Sequence, residues 1–480
     1  MLSLQKLLNT MRRKNKETIT IERLQIIEAG SEGVSIGKYE DKVVFVPYVV
    51  PGDIVDVQVF RKKKSYYEAK AIAVHQHSAD RVTPKCEHFG LCGGCKWQNM
   101  NYKTQLHYKR KQVIDNFQRI GKFDFPEVNP ILPSDAIFAY RNKVEYTFSN
   151  KRWLQAEELP DADAGLLNTN GLGFHLPGMF DKILDIYHCY LHNELGNEIR
   201  NAVKEYAISH ELPFWNARLQ TGFLRNLLIR SSECGDMMVI LVLTAFTDEA
   251  EKLMSFIAEK FPQITSLLYV ENTKMNDSIA DLSTKIYCGN DFLQEKMNDL
   301  RFKVAPLAFY QTNSGQALKL YEQTARLADI KEHQTVYDLY TGTGTIALFV
   351  ARKARKVIGI EYIASAIESA NENAKLNNIT NTHFFAGDMA KILTDEFAAE
   401  NGNPDVIITD PPRSGMHPKV IDQLLKILPE RIVYVSCNPA TQARDIALLV
   451  SKYTVQEVQP VDMFPHTHHV ENVALLKIII

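Results

Sequence analysis

The stretch "YVSCNPATQARD", residues 434–445, runs a β-branched and aromatic strand into Ser436-Cys437-Asn438-Pro439. A cysteine not tied into a disulfide is most often a small buried hydrophobe. This one ends a strand and precedes an Asn-Pro turn, so in an open α/β sheet it lies on the carboxyl edge, where ligands bind. A thiolate there can add to an electron-poor ring carbon and become a covalent catalyst.

A second constellation precedes it. "TVYDLYTGTGTIALFVARKARKVIGIE", residues 335–361, reads strand, glycine turn, helix, strand, acidic end. Gly342 and Gly344 allow a tight turn and close approach of a ligand. Glu361 ends the second strand, where a carboxylate can accept both hydroxyls of a ribose. The turn is shorter than G-x-G-x-x-G and no G-K-[ST] follows, which weakens the dinucleotide and triphosphate readings. The pattern suits S-adenosylmethionine, which has a ribose and an adenine but no phosphate. "FFAGDMAK" adds Asp388 after a third strand, placed for the adenine amino group, and "DVIITDPPRSG" ends a fourth strand in Asp410. A [D/N]-P-P motif at that place serves amino-directed nucleic-acid methyltransferases, which follow it with an aromatic residue. Here Arg413 follows, pointing away from nitrogen methylation.

Carbon 5 of uracil is a poor nucleophile towards a sulfonium methyl. A thiolate added at carbon 6 makes the ring an enolate with charge on carbon 5, which then takes the methyl. A base must afterwards remove the carbon-5 proton. "DMFPHTHHVENVALLKI", residues 462–478, offers Glu471 at the start of the last strand, with His466, His468 and His469 beside it. Histidine is the natural guess for a base; a carboxylate tuned upward in a dry pocket serves as well. The histidines also read as turn residues.

The elements that must position these groups fill the C-terminal part, residues 301–480, where strands and helices alternate as in a Rossmann-like doubly wound domain. Residues 125–300 mix strands and amphipathic helices as an α+β module, in which Arg141 and Lys143 of "FAYRNKVEYTF" are candidates for RNA phosphate. Residues 19–79 hold five short alternating strands that fit an OB-like barrel. The barrel's "RKKKSYY", residues 61–67, combines cations with rings, as a single-stranded nucleic-acid surface requires. Residues 80–124 carry a cysteine-rich segment and a basic helix, and residues 1–18 a basic tail.

Cys86, Cys92 and Cys95 form C-x5-C-x2-C among Gly90, Gly93 and Gly94. A fourth ligand is needed, with His88 and Cys189 as candidates. Zinc more often shows paired C-x2-C knuckles, so a [4Fe-4S] cluster is expected. Net charge is −2, but residues 1–120 hold 21 Lys+Arg against 12 Asp+Glu and the remainder 34 against 45. A basic head on an acidic body points to nucleic acid. No apolar run reaches the roughly 18 residues that cross a bilayer. The opening leucines are too interrupted for an export signal. A cytoplasmic protein with no membrane and no obligate protein partner is expected.

"DLYTGTG", "DPPRSG", "SCNPATQARD" and "DMFPHTHHVE" together resemble the RNA uracil-5 methyltransferase family, from about residue 19 to the end. Members of similar layout methylate 23S ribosomal RNA and carry a TRAM barrel and an iron–sulfur cluster. The resemblance implies Cys437 as nucleophile and Glu471 as base, with Asp410 between the uracil and the cofactor. It implies Gln311, Tyr340, Glu361 and Asp388 as cofactor contacts; the residues alone mark Gln311 only as preceding a helix. It also selects Cys189 as the fourth cluster ligand. Tyr340 stands where phenylalanine is frequent and Thr345 where some members have asparagine, each keeping a ring or a polar group. The expected target is 23S ribosomal RNA. The alternatives are a transfer RNA T-loop uridine or, from another class, a catalytically idle RNA-binding assembly factor.

Overall fold

In the computed structural model the described residues are 19–479, so the basic tail expected over 1–18 lies outside them. The chain divides into two compact units: one runs to Pro84 and takes in Lys96–Tyr108, the other comprises Lys85–Cys95 and everything from Lys109 onward.

The first unit is a closed barrel of β1 (Thr20–Ala29), β2 (Val34–Tyr39), β3 (Lys42–Pro47), β4 (Ile54–Lys62) and β5 (Tyr66–Gln76), in the order β1-β2-β3-β5-β4. Period-two alternation fills it: Val55, Val57 and Val59 of β4 meet Ile21, Leu24 and Ile26 of β1 inside. The Pro51-Gly52-Asp53 corner is fixed by the buried Asp53 carboxylate, which accepts from Val50 N (2.7 Å), Ser78 N (2.8 Å) and the Arg81 guanidinium. Burial alone would raise its pKa, but Arg81 and the backbone donors hold it below the usual carboxylate value. The expectation for "RKKKSYY" needs correction in one respect. Arg61–Ser65 are exposed, but Tyr67 is only 5% exposed and belongs to the barrel core, its hydroxyl accepting from Lys42 Nζ at 3.0 Å. Alternation along β5 turns that ring inward, so it is no stacking platform.

The second unit contains two seven-stranded sheets. The central one comprises β6 (Lys143–Ser149), β7 (Gly171–His175), β8 (Ile183–Asp185), β9 (Leu224–Ser231), β10 (Met237–Leu243), β11 (Ser266–Glu271) and β12 (Lys285–Gly289), in the order β12-β11-β10-β9-β6-β7-β8. The helices Glu194–Ser209 and Asp248–Lys260, capped by the Asn193 and Thr247 side chains, cover one face. The other face, with Leu228, Met238, Ile240 and Val242, lies in one apolar cluster with the helix Ser314–Ala328 and with Val336, Val406 and Val433 further on. "MMVILVL" of β10 is apolar on both faces because both are covered. A hairpin of β13 (Leu293–Met297) and β14 (Leu300–Val304) leads to the second sheet.

That sheet comprises β15 (Thr335–Leu339), β16 (Lys356–Glu361), β17 (Thr382–Ala386), β18 (Val406–Thr409), β19 (Arg431–Ser436), β20 (Tyr453–Val461) and β21 (Glu471–Ile478), ordered β17-β16-β15-β18-β19-β21-β20. The first five run parallel and β21 pairs antiparallel with both β19 and β20. The order reverses at β15, between β16 and β18, the switch point where ligands bind.

The helix Tyr102–Asn116, read from sequence as basic, hides one of its cations. Lys109 is fully buried, its ammonium donating to Asp462 Oδ1 at 2.5 Å and to the Phe464 carbonyl at 2.9 Å. Burial pulls the lysine pKa down and Asp462 opposes that pull. Removing one partner of such a pair strands the other charge. Lys109→Met is therefore expected to lower stability by about 3–5 kcal/mol, read by urea unfolding, and adding Asp462→Asn to recover part of the loss.

Candidate active site

At the carboxyl end of β15 the chain turns through Tyr340 (φ +64°), Gly342 (φ +56°) and Gly344 (φ +79°) into the helix Thr345–Ala351. The buried Asp338 ties the turn, accepting from Thr341 Oγ1 (2.5 Å) and Ala347 N (3.0 Å); burial pushes its pKa up to about 7. A side chain at Gly344 would need both the left-handed backbone and space that is taken, with Ala370 Cβ at 2.9 Å and the Phe384 ring at 3.1 Å. At Gly342 nothing lies within 4 Å, leaving an open cradle over the turn. Glu361, ending β16, reaches this cradle, its Oε2 accepting from Gly342 N at 3.2 Å and its Oε1 from Ile363 N at 3.0 Å. Asp388, after β17, caps the short helix Met389–Ile392 through Ala390 N at 3.0 Å.

Gln311 lies two residues before Asn313, the N-cap of the helix Ser314–Ala328. Its carbonyl accepts from Asn142 Nδ2 at 2.9 Å, and the same amide donates to Ser314 Oγ at 2.8 Å. Buried Arg230 of β9 holds the preceding segment by donating to the carbonyls of Ala305, Pro306 and Ala308. The central sheet therefore fixes this approach to the helix. Asn142 and Arg230 escape sequence reading because their partners lie more than 70 residues away.

The cysteine is set by register. Thr409 of β18 pairs with Tyr434 of β19, and Ser436 pairs with Asn472 of β21. One step further along, Cys437 and Glu471 come opposite one another, with Asp410 on the neighbouring strand end. Glu471 is buried and its pKa is pushed up to about 8, first by burial, then by Asp410, with Arg413 opposing. Burial, with Asp338 adding, pushes Asp410 up to about 7. Burial, then Glu471 and Asp410, push the Cys437 thiol up to about 11, while the Arg413 guanidinium hydrogen-bonded to it pulls the other way.

The rest of "SCNPATQARD" is framework. The Asn438 side chain caps the helix Pro439–Leu449 and donates to the Arg413 carbonyl at 3.0 Å, where Thr441 Oγ1 also donates at 3.2 Å. Gln442 donates to Tyr434 O (2.8 Å) and accepts from Asn472 Nδ2 (2.7 Å), bracing the two strands that carry Cys437 and Glu471. Buried Asp445 accepts from Met416 N (2.8 Å) and Tyr434 Oη (2.7 Å). Gly415, at φ +78°, passes so close that a Cβ would lie 2.5 Å from Asp445 Oδ2.

The loop before Glu471 is held by Tyr140 Oη on the Pro465 carbonyl (3.0 Å), Asn313 Nδ2 on that of Met463 (2.9 Å) and Gln316 Nε2 on that of Asp462 (2.9 Å). His466 stacks on Phe138 at 4.5 Å and burial pushes its pKa down to about 4, so it serves packing. His469 instead lies against Arg413. Sequence reading noted Arg413 only as a departure from an aromatic residue and His469 only as a turn residue or candidate base, and did not bring the two together.

The four cysteines of the expected cluster share one neighbourhood in the second unit. Cys86 lies in the electrostatic reach of Cys189, and Tyr140 in that of Cys95 and Cys189. Cys92 and Cys189 pack on Leu176, Leu184 and Ile186. His88 instead accepts from Tyr187 N at 3.3 Å. Among the described residues no three His, Cys, Asp or Glu side chains are drawn together closely enough to hold a metal ion as they stand. No helix among them is long and apolar enough to cross a membrane.

A sheet with this strand order, a glycine turn after its first strand and acidic residues ending the next three defines an S-adenosylmethionine-dependent methyltransferase. The family model described as tRNA (uracil-5-)-methyltransferase matches residues 270–479, and that of the TRAM domain residues 14–72. RNA methyltransferases of Bacteroides thetaiotaomicron and Porphyromonas gingivalis are 55% and 50% identical over 453 and 462 residues, spanning 93% and 94% of this chain and 99% of each relative. The tRNA (uracil-54, C5)-methyltransferase of Pyrococcus abyssi, solved with S-adenosyl-L-homocysteine, superposes with a TM-score of 0.73 at 28% identity, covering 95% of this chain and all of that one. The chain belongs to the RNA uracil-5 methyltransferase family and is an S-adenosylmethionine-dependent enzyme acting on RNA.

The raised Glu471 carboxyl has a consequence for stability. Its pKa is about 8 in the fold against an ordinary 4.5, so the native state binds the proton more tightly than the unfolded chain. Stability therefore falls as pH rises through that window. Glu471→Gln should melt higher than the parent at pH 8.5 and gain less at pH 5, by differential scanning calorimetry at both pH values.

Proposed function

We propose that the enzyme methylates carbon 5 of a uridine through a covalent adduct on Cys437. The observation that carries this reading is the pairing of Cys437 with Glu471 across adjacent strand ends, beside Asp410 and the cofactor turn. The Cys437 sulfur bonds to carbon 6, and the ring's electrons move to carbon 5 and the carbonyl oxygen. Carbon 5 takes the methyl from the sulfonium, leaving S-adenosylhomocysteine. Glu471 then removes the carbon-5 proton, the carbon–sulfur bond breaks and the thiolate departs. Asp410 orients the uracil edge. Glu361 would receive the ribose hydroxyls and Asp388 the adenine amino group, and Tyr340 and Gln311 would complete the set of residues holding the cofactor beside the open turn at Gly342.

Cys437→Ser is expected to abolish turnover and covalent trapping on 5-fluorouridine RNA. Glu471→Gln should form the adduct but release product about 10²–10⁴-fold more slowly. Attack needs the thiolate and release needs the carboxylate, so activity should rise with pH through about 8 in the parent. A pH profile that stayed flat between 6 and 9 would count against both assignments.

The target we infer is 23S ribosomal RNA, a reading supported by the TRAM barrel joined to a cysteine-rich segment. The transfer RNA reading draws support from the Pyrococcus abyssi enzyme, which acts on uracil 54 of tRNA. Mapping 5-methyluridine in both RNAs from cells lacking the protein separates the two. Cys86, Cys92, Cys95 and Cys189 suit a [4Fe-4S] cluster in donor type, and Cys92 and Cys189, from segments over 90 residues apart, pack on one apolar group. Such a cluster would tie Lys85–Cys95 to the central module and help seat RNA, without a redox step. Cys92→Ser should then lose iron and weaken RNA binding, by iron assay and filter binding. Intact affinity with methyl transfer stopped would contradict the structural role.

A further inference from the structure

Arg413 occupies the place where an aromatic residue would follow Asp-Pro-Pro in an amino-directed enzyme, and its guanidinium meets the Cys437 sulfur. Its backbone is fixed by Asn438 and Thr441, but its side chain is long and would sample many rotamers at an exposed edge. What holds its outer end is the imidazole of His469, two residues before Glu471. Arg413 Nη2 lies 3.2 Å from His469 Nδ1 and 3.3 Å from Nε2, so the guanidinium rests across the ring.

We propose that His469 is a positioning residue that keeps the Arg413 guanidinium on the Cys437 sulfur, favouring the thiolate that attacks the pyrimidine.

The ring's surroundings suit this task. Burial, then His468, Arg413, Lys109 and Arg141, keep His469 from taking a proton, pushing its pKa down to about 3. The face of a neutral imidazole attracts a guanidinium, whereas an imidazolium would repel it. Its own backbone N–H donates to Thr467 Oγ1 at 3.2 Å, and the Phe464 ring stands edge-on at 6.4 Å. Around the thiol, Glu471 and Asp410 oppose ionisation, and Arg413 is the cation that counters them. A guanidinium free to swing away would leave the sulfur facing two carboxyl groups alone.

The inference rests on Cys437 being the nucleophile, and the two fail differently. Alkylation reads the thiolate without RNA or turnover, whereas a serine at 437 that still turned over would sink the mechanism itself. Peptide-resolved carbamidomethylation of Cys437 by iodoacetamide, followed from pH 6 to 10, compares the parent with His469→Asn and His469→Phe. The phenylalanine keeps a flat ring for the guanidinium to lie on; the asparagine keeps a polar group but no ring face. His469→Asn is expected to slow alkylation at pH 8 about tenfold, a shift of one pH unit in the thiol's titration. His469→Phe should stay within about threefold of the parent, and Arg413→Gln should reproduce the asparagine result. If the asparagine unfolds the loop, His469→Ala takes its place. An unchanged alkylation profile in the ring-free variant, or a phenylalanine variant as slow as it, overturns the proposal.

Discussion

A thiol and two carboxyl groups are packed into one poorly hydrated corner, and the rest of the catalytic sheet exists to keep them there. Burial drives Cys437, Glu471 and Asp410 in the same direction, towards their neutral forms, and each anion makes the next harder to form. Three acids in such a place cannot all ionise. Charge has to be used in turn: on sulfur when the ring is attacked, on a carboxylate when the carbon-5 proton leaves. The Arg413 guanidinium favours the ionised forms of both Cys437 and Glu471.

Holding unionised acids and a cation in a dry corner asks for rigid supports, and these are polar groups sunk into the protein and matched one to one. Gln442 braces β19 to β21, Asp445 ties the loop after Asp410 to its neighbouring helix, and Lys109 clasps Asp462 at the start of the loop that delivers Glu471. Buried polar networks that are satisfied fix one arrangement and penalise others, since a lost partner leaves its mate unpaired without water.

The cofactor side is built on backbone geometry. Left-handed conformations at Tyr340, Gly342 and Gly344 curl the chain away from the sheet and leave open space over Gly342, with Glu361 at its rim. The central sheet contributes by fixing the segment that carries Gln311, through Asn142 and Arg230. Its β10 strand, apolar on both faces, lies in the same core as the catalytic sheet, so the two are one packed body and not a catalytic domain with an appendage.

Strand ends, glycine turns and motif order are local patterns, and the sequence by itself determined them: the alternation of β and α elements, the barrel's five strands, and the candidate roles of Gly342, Glu361, Asp410, Cys437 and Glu471. Tyr67 was misread because its inward direction depends on a one-residue register that composition cannot convey. The pairing of Cys437 with Glu471, 34 positions on, follows from β21 inserting antiparallel beside β19, a choice made by sheet assembly. Burial of Lys109, the clamp of Arg230 and the contact of His469 with Arg413 were likewise decided only in three dimensions. The physical reason is common to all of them. Desolvation and ion pairing depend on what lies within a few ångströms, and that neighbourhood comes from segments tens to hundreds of residues apart.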